Sequence, residues 1–271
     1  MNNTREAFNK AATDYDVSFT NTAIGTMQRN RVWCYLEKSL KNRKAEVLEI
    51  NCGTGEDALW LANKCYSVTA TDVAGSMITV AESKRIIADI NNVSFKTIDF
   101  FKLHKTLYPQ QYDFIFSDFG GLNCVNEPEL EHLSKDFAKL LYPGGKMIIV
   151  VMGKYCLWET LYFLAKFKIG KALRRWDNKG VHTNIEGEEF ETWFYSVSGL
   201  KKIFSHHFKL IEAKPIAVAV PPSYLQNYFD KKPKLLDRFN RFDGFLTRWK
   251  WLSNFSDHLI LTFELKKPVE Q

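Results

Sequence analysis

The residues best spaced for chemistry lie around a glycine-rich turn. An apolar run, Val47 to Ile50, carries one acid, Glu49, and leads directly into Asn51-Cys52-Gly53-Thr54-Gly55 and then an amphipathic segment. A strand feeding a glycine turn and then a helix brings backbone N–H groups and a helix N-terminus against a ligand. The next apolar run, SVTATD, ends in a second acid, Asp72. That separation suits a ribose held through its two hydroxyls, so the segment points to a nucleoside-bearing ligand. Two such ligands fit. Gly53 to Ala58 satisfies GxGxxA, the loose dinucleotide fingerprint of an NAD-dependent oxidoreductase. A phosphate-free nucleoside fits better, because the turn holds no Lys or Arg and Glu56 and Asp57 follow Gly55 at once. Those two acids would oppose a pyrophosphate resting on the turn.

No general base stands out. His182, in GVHTNIEGEEF, and Tyr195 and Tyr224 are the catalytic candidates, because they fall in long segments outside the regular strand–helix rhythm. His104, His132 and His258 read as structural. Asp118 and Phe119 close the fourth apolar run in SDFGG, and Asn123 follows. The cysteines at 34, 52, 65, 124 and 156 form no CxxC pair, so neither a zinc site nor a disulfide framework is expected.

The elements that must position these residues alternate. Runs at 46–50, 67–72, 93–98, 112–118 and 145–152 read as strands, and 56–64, 75–89 and 127–141 as helices. This predicts an α/β fold, a doubly wound, mostly parallel seven-stranded sheet, with 208–213 and 257–265 as its last two strands. The strong alternation of the last run suits an antiparallel partner at or near a sheet edge. Helices are expected in 1–45 as an N-terminal lid. The cofactor core is expected to comprise 46–153, 201–214 and 256–271, and helical substrate-side insertions 154–200 and 215–255. The polar N-terminus, MNNTREAFNK, carries no signal-peptide pattern, and a cytoplasmic protein with reduced thiols is expected.

Charge is uneven along the chain. Residues 153–256 hold 18 Lys/Arg against 10 Asp/Glu, whereas 1–152 hold 17 against 18. The cofactor half is therefore near neutral, which argues against nucleic-acid wrapping and for a small acidic or membrane-associated substrate. In 233–252, Leu235, Phe239, Phe242, Leu246 and Trp249 recur at helical spacing among Lys and Arg. This reads as a lid helix with a basic face, or as a peripheral contact with the inner face of a membrane reaching a lipid-like substrate.

The fuller pattern, acid-x-x-x-Gly-x-Gly from Glu49 to Gly55, together with TATDVAGSMI, IDFF, YDFIFSDFGGLN and YPGGK, resembles the class I S-adenosylmethionine-dependent methyltransferases of the small-molecule type, among them quinone C-methyltransferases. The resemblance runs from about Phe8 to Leu265. It implies a Rossmann-like fold and S-adenosyl-L-methionine as methyl donor, with S-adenosyl-L-homocysteine as product and no metal. It also implies a cofactor site of Glu49, Asn51, Gly53, Gly55, Asp72 on the ribose, Val73 and Met77 flanking adenine, Asp99 and Phe100 at the adenine edge, and Asp118 and Phe119 beside the methyl group. Tyr15, in AFNKAATDYD, matches the family's lid over the cofactor. Where the family often has Gly, this chain has Asn51, which tolerates a left-handed backbone better than most residues. SDFGG is not the Asn/Asp-Pro-Pro-aromatic motif of enzymes that methylate amino groups of bases or glutamine. The expected activity is in-line methyl transfer to a small, apolar or acidic metabolite. The alternative is a cofactor-binding accessory subunit without turnover.

Overall fold

The apolar runs become strands because Val, Ile and Phe suit a pleated surface and because alternate residues can serve two cores at once. The computed structural model describes residues 2–40 and 44–267. Its strands are β1 (Glu46–Ile50), β2 (Ser67–Asp72), β3 (Val93–Thr97), β4 (Tyr112–Ser117), β5 (Leu141–Met152), β6 (Val181–Ile185), β7 (Glu188–Thr192), β8 (Phe208–Ile216) and β9 (His258–Leu265). Seven of them form one sheet in the order β3-β2-β1-β4-β5-β9-β8. β1 to β5 pair in parallel, and β9 runs antiparallel between β5 and β8. β5 begins at Leu141 rather than near 145, because Leu141 already pairs with Tyr112 before Gly144 turns the chain at φ 80°.

The direction of β9 has a consequence for the site. Parallel strands end where the glycine turn lies, and an antiparallel strand begins there. His258, the first residue of β9, pairs with Met152, the last of β5. It therefore sits at the ligand end of the sheet, level with the ends of β1, β2 and β4.

Alternate strand residues feed two cores. Val47, Val68, Ile148, Val150 and Ile260 pack with the helices Ala23–Ser39 and Glu56–Asn63 on one face. Leu48, Ile115, Ile149, Val151 and Leu261 pack with the helix Glu127–Leu140 on the other. That helix starts where the sequence demands it. The Asn126 side chain accepts from the Glu129 N–H, the Glu129 carboxylate accepts from the Asn126 N–H, and a proline lies in the first turn.

The segment 154–200 holds the helices Leu157–Ala165 and Ile169–Ala172, and also the β6–β7 hairpin, which the expectation of helical insertions did not contain. Its period-two alternation and the Glu186-Gly187 tip, both at positive φ, produce a tight hairpin turn. The N-terminal helix Asn2–Ala11 lies on this hairpin: Asn3 donates to the Glu189 carbonyl, Lys10 pairs with Glu188 at 2.6 Å, and Phe8 meets Phe190.

In 215–255 the helix Pro233–Leu246 passes through Gly244 and stops short of 252. It turns Leu235, Leu236 and Phe239 into the first core and buries Asp243, whose carboxylate accepts from the Val218 and Ala219 N–H groups. Among the described residues, no helix is long and apolar enough to cross a membrane.

Candidate cofactor and acceptor site

The turn after β1 is built on positive-φ residues. Asn51 has φ 52°, Gly53 φ 53° and Gly55 φ 79°. Asn51 also does what glycine could not. Its Nδ2 donates to the Asp118 carbonyl at 2.9 Å and its Oδ1 accepts from the Ser117 hydroxyl at 2.7 Å, tying the end of β1 to the end of β4. The second glycine of SDFGG completes the arrangement, since a Cβ at Gly121 would fall 2.1 Å from Asn51 Cγ.

Asp72, at the end of β2, holds the turn from the other side. One carboxylate oxygen accepts from the Gly53 N–H and the other from the Ala74 N–H, both at 2.9 Å. Burial raises its pKa, and these backbone bonds oppose that rise. Gly55 is the steric requirement of the turn. At its φ of 79°, a Cβ would meet the Phe95 ring and the Ala81 methyl at 2.7–2.8 Å. Gly55→Ala is therefore expected to lower stability by about 1–3 kcal/mol, through left-handed strain and overpacking. A thermal melt checks this, and an unchanged midpoint would count against it.

Beneath the turn lies a buried group of charges. Arg29 reaches Asp57 at 3.2 Å, and the Trp33 indole N–H donates to the same carboxylate at 2.6 Å. Burial, followed by the nearness of Asp57, pushes the carboxyls of Glu49 and Asp118 well above the ordinary range, while Arg29 pulls against the shift.

A cavity of about 580 Å³, mouth included, opens above the turn. Asp72 forms its polar wall. Val73, Met77, Ile98 and Phe100 form a flat apolar slot, and Tyr15, Asn51, Gly53 and Phe119 complete it. Among the described residues, no Lys or Arg lines it. Of the residues expected at the cofactor, Glu49, Gly55, Asp99 and Asp118 do not reach the wall. Gly55 starts the following helix, Glu49 and Asp118 lie below with the buried charges, and Asp99 spends an oxygen accepting from the Phe101 N–H.

The N-terminal segment closes this cavity. Asp16 accepts from the Thr54 hydroxyl at 2.6 Å and pairs with Lys84 at 2.5 Å, which pins the segment to the glycine turn. Tyr15 faces inward, and burial pushes its phenol up to about 12, so it can donate a hydrogen bond but does not serve as a base.

Phe8, Tyr15, Phe119 and Cys124 also line a second, larger cavity of about 1360 Å³, mouth included. The β6–β7 hairpin walls one side through Val181, Thr183 and Ile185. His182 points the other way into solvent, because strand side chains alternate. Tyr195 is not brought to either cavity. It is buried in the second core and its hydroxyl donates to the Val125 carbonyl. Tyr224 does line the larger cavity, stacked near Phe163.

At the sheet end of this cavity stands His258, its ring edge-on to Phe119 at 5.2 Å. Its Nδ1 lies 3.2 Å from Asp257. Arg175 donates to Asp257 at 3.0 Å and to Glu159 at 2.8 Å, and Gln28 donates to the other Asp257 oxygen. Burial works against the Asp257 carboxylate, but the neighbouring His258 ring and Arg175 guanidinium outweigh it and hold it well below the ordinary carboxylate range.

Residues 47–145 match the family model of a methyltransferase domain. The stretch from β1 to the start of β5 is thus similar to a methyltransferase domain. The chain is 30% identical over 157 residues to a demethylmenaquinone methyltransferase of Leptospira interrogans, covering 55% of this chain and 60% of that one. It is 28% identical over 129 residues to part of a non-reducing polyketide synthase of Penicillium brasilianum, covering 45% of this chain and 5% of that one. The chain thus spans less than two thirds of the length of these curated relatives. Its fold matches the structure of a DhpI–SAH complex at a TM-score of 0.60 and 16% identity, over 100% of this chain and 97% of that one.

His258 reads from the sequence as structural, yet it lines the larger cavity. The usable signal was the Asp257-His258 pair at the start of an antiparallel strand, which puts both at the ligand end of the sheet. Arg175 was missed too, because its partners Glu159 and Asp257 are distant in sequence. Arg175→Met removes the buried cation that bridges two buried carboxylates, leaving Glu159 to Arg174 and Asp257 to His258, and is expected to cost about 3–5 kcal/mol at neutral pH. A carboxylate whose folded pKa is depressed adds stability above its unfolded pKa and loses it as pH falls through the folded value. The variant lacks much of that contribution, so the gap between it and the wild type should narrow as the medium turns acid. Melts across pH test this, and a gap that is constant with pH would contradict it.

Proposed function

We propose that this protein is a methyltransferase that transfers a methyl group from S-adenosylmethionine to a small, largely apolar acceptor that carries an acidic hydroxyl or a carbon acid. The observation that carries the reading is the junction of two cavities at Phe119 and Cys124. One is lined by a single carboxylate and an apolar slot, the other by aromatic rings with an Asp–His pair at its end.

The smaller cavity suits the donor. Asp72 would hold the ribose hydroxyls, since its oxygens keep acceptor capacity beyond the two backbone bonds. Val73, Met77, Ile98 and Phe100 would sandwich the adenine ring. The lack of a lining cation fits a ligand with no phosphate and a positive sulfonium. When bound, the donor supplies an electrophilic methyl carbon whose bond to sulfur breaks as the acceptor's bond to carbon forms.

The protein's own contribution is positioning, exclusion of water and proton removal. Tyr15 and Phe8, held down by Asp16 and the hairpin, cover the junction and keep it dry. His258 takes the acceptor's proton. Asp257 faces Nδ1, which turns the other ring nitrogen to the acceptor and stabilises the imidazolium that forms. Arg175 fixes Asp257 in that orientation.

The test is incubation with methyl-labelled S-adenosylmethionine and a cell metabolite extract. The expected result is labelled product together with an equal amount of S-adenosylhomocysteine. Tight donor binding with no labelled product from any extract would contradict turnover.

A further inference from the structure

The helix Leu157–Ala165 is apolar on both faces. Its inward side is accounted for: Trp158 packs against Phe229 and Phe239 and donates to the Ala219 carbonyl, and Glu159 anchors Arg174 and Arg175. The outward side is not. Leu161 is 55% exposed, Leu164 43%, and beyond the helix end Phe167 is 93% and Ile169 63% exposed. Phe167 adopts φ 56°, which projects its ring at the tip of the turn between two helices. A bulky aromatic residue rarely takes that backbone without compensation.

The charges around the tip have one sign. Lys166, Lys168 and Lys171 flank Phe167 and Ile169, and no acid occurs from Thr160 to Trp176. The cavity mouth is adjacent, since Arg174 and Tyr224 line the larger cavity and Tyr224 meets Tyr162 and Phe163 of the same helix.

We infer that the tip at 164–171 docks on an anionic lipid surface, with Phe167 and Ile169 entering the acyl boundary and the lysines resting on lipid headgroups. A bilayer accepts protruding apolar side chains without a shaped partner and is drawn to clustered lysines. A second copy of the chain would fit poorly, because a symmetric contact here would set lysine against lysine. The site is separate from the 233–252 stretch that sequence alone suggested, where Leu235, Leu236 and Phe239 are turned into the core and Phe242, Trp249 and Trp251 are exposed. The inference does not depend on methyl transfer, because its readout is binding alone.

Co-sedimentation of the full chain with vesicles of phosphatidylcholine and phosphatidylglycerol in equal parts, against phosphatidylcholine alone, tests it. The wild type should bind the mixed vesicles and only weakly the neutral ones. Phe167→Ser with Ile169→Ser should weaken binding by more than about tenfold. Lys168→Glu with Lys171→Glu should weaken it by about 25-fold or more, taking about fivefold per lysine. Thermal melts check that both variants, altered only at exposed positions, remain folded. Equal partition of the wild type onto both vesicles, or wild-type binding by folded variants, would overturn the inference. So would sedimentation of the wild type as a dimer that Phe167→Ser dissociates.

Discussion

His258→Ala is expected to lower methyl transfer by about 10²–10⁴-fold while leaving the affinity for S-adenosylmethionine unchanged. The magnitude is that of a positioned general base acting on an acceptor that is protonated at working pH. The separation of the two effects follows from place. His258 lines the larger cavity and not the smaller one, and its ring lies against Phe119, which lines both. The histidine is also buried beside Asp257, so a loss of rate through general loosening must be told apart from loss of the base. Added imidazole makes that distinction. The truncated side chain leaves a hole open to the cavity that free imidazole can enter, and rate should partly return. A variant that loses rate without rescue, or keeps its rate, would place the base elsewhere.

Asp72→Ala is expected to weaken S-adenosylmethionine binding by at least about 100-fold, or roughly 3 kcal/mol, as measured by calorimetry. Two contributions are lost together. The ribose loses its acceptor, and hydrogen bonds to a charged group are worth about 1.5–3 kcal/mol each. The Gly53 and Ala74 N–H groups also lose the carboxylate that fixes the turn above β1 and β2. Asp72→Asn separates them, because an amide still presents one oxygen to the backbone, and it should lie between the wild type and the alanine variant. Binding of the alanine variant within a few-fold of the wild type would mean that the ribose is not held at Asp72.

Much of the sheet could be read from sequence for a physical reason. Parallel strands buried on both faces are short apolar runs, and the runs at 46–50 and 67–72 coincide with β1 and β2. The donor cavity was legible because glycine turns and strand-end acids are local features: Gly53, Asp72, Val73, Met77 and Phe100 all line it. Asn51 looked like a departure from pattern and turns out to carry two hydrogen bonds that need Gly121 opposite, a pairing visible only in space.

The acceptor side was not legible, because its parts are distant in sequence. His182 was chosen from a loop-like stretch, but β6 alternates and sends its neighbours Val181 and Thr183 to the cavity instead. Tyr195 sits in an aromatic segment that proves to be core. His258 reads from the sequence as structural, whereas the antiparallel direction of β9 brings that strand's first residue to the larger cavity.

The central claim, that the glycine turn and Asp72 form a site for a phosphate-free nucleoside methyl donor, is tested most directly by calorimetric titration of the purified protein with S-adenosylmethionine. The account predicts saturable binding at one site per chain, with NAD giving no comparable heat. A flat titration with S-adenosylmethionine, or saturable binding of NAD in its place, would contradict it.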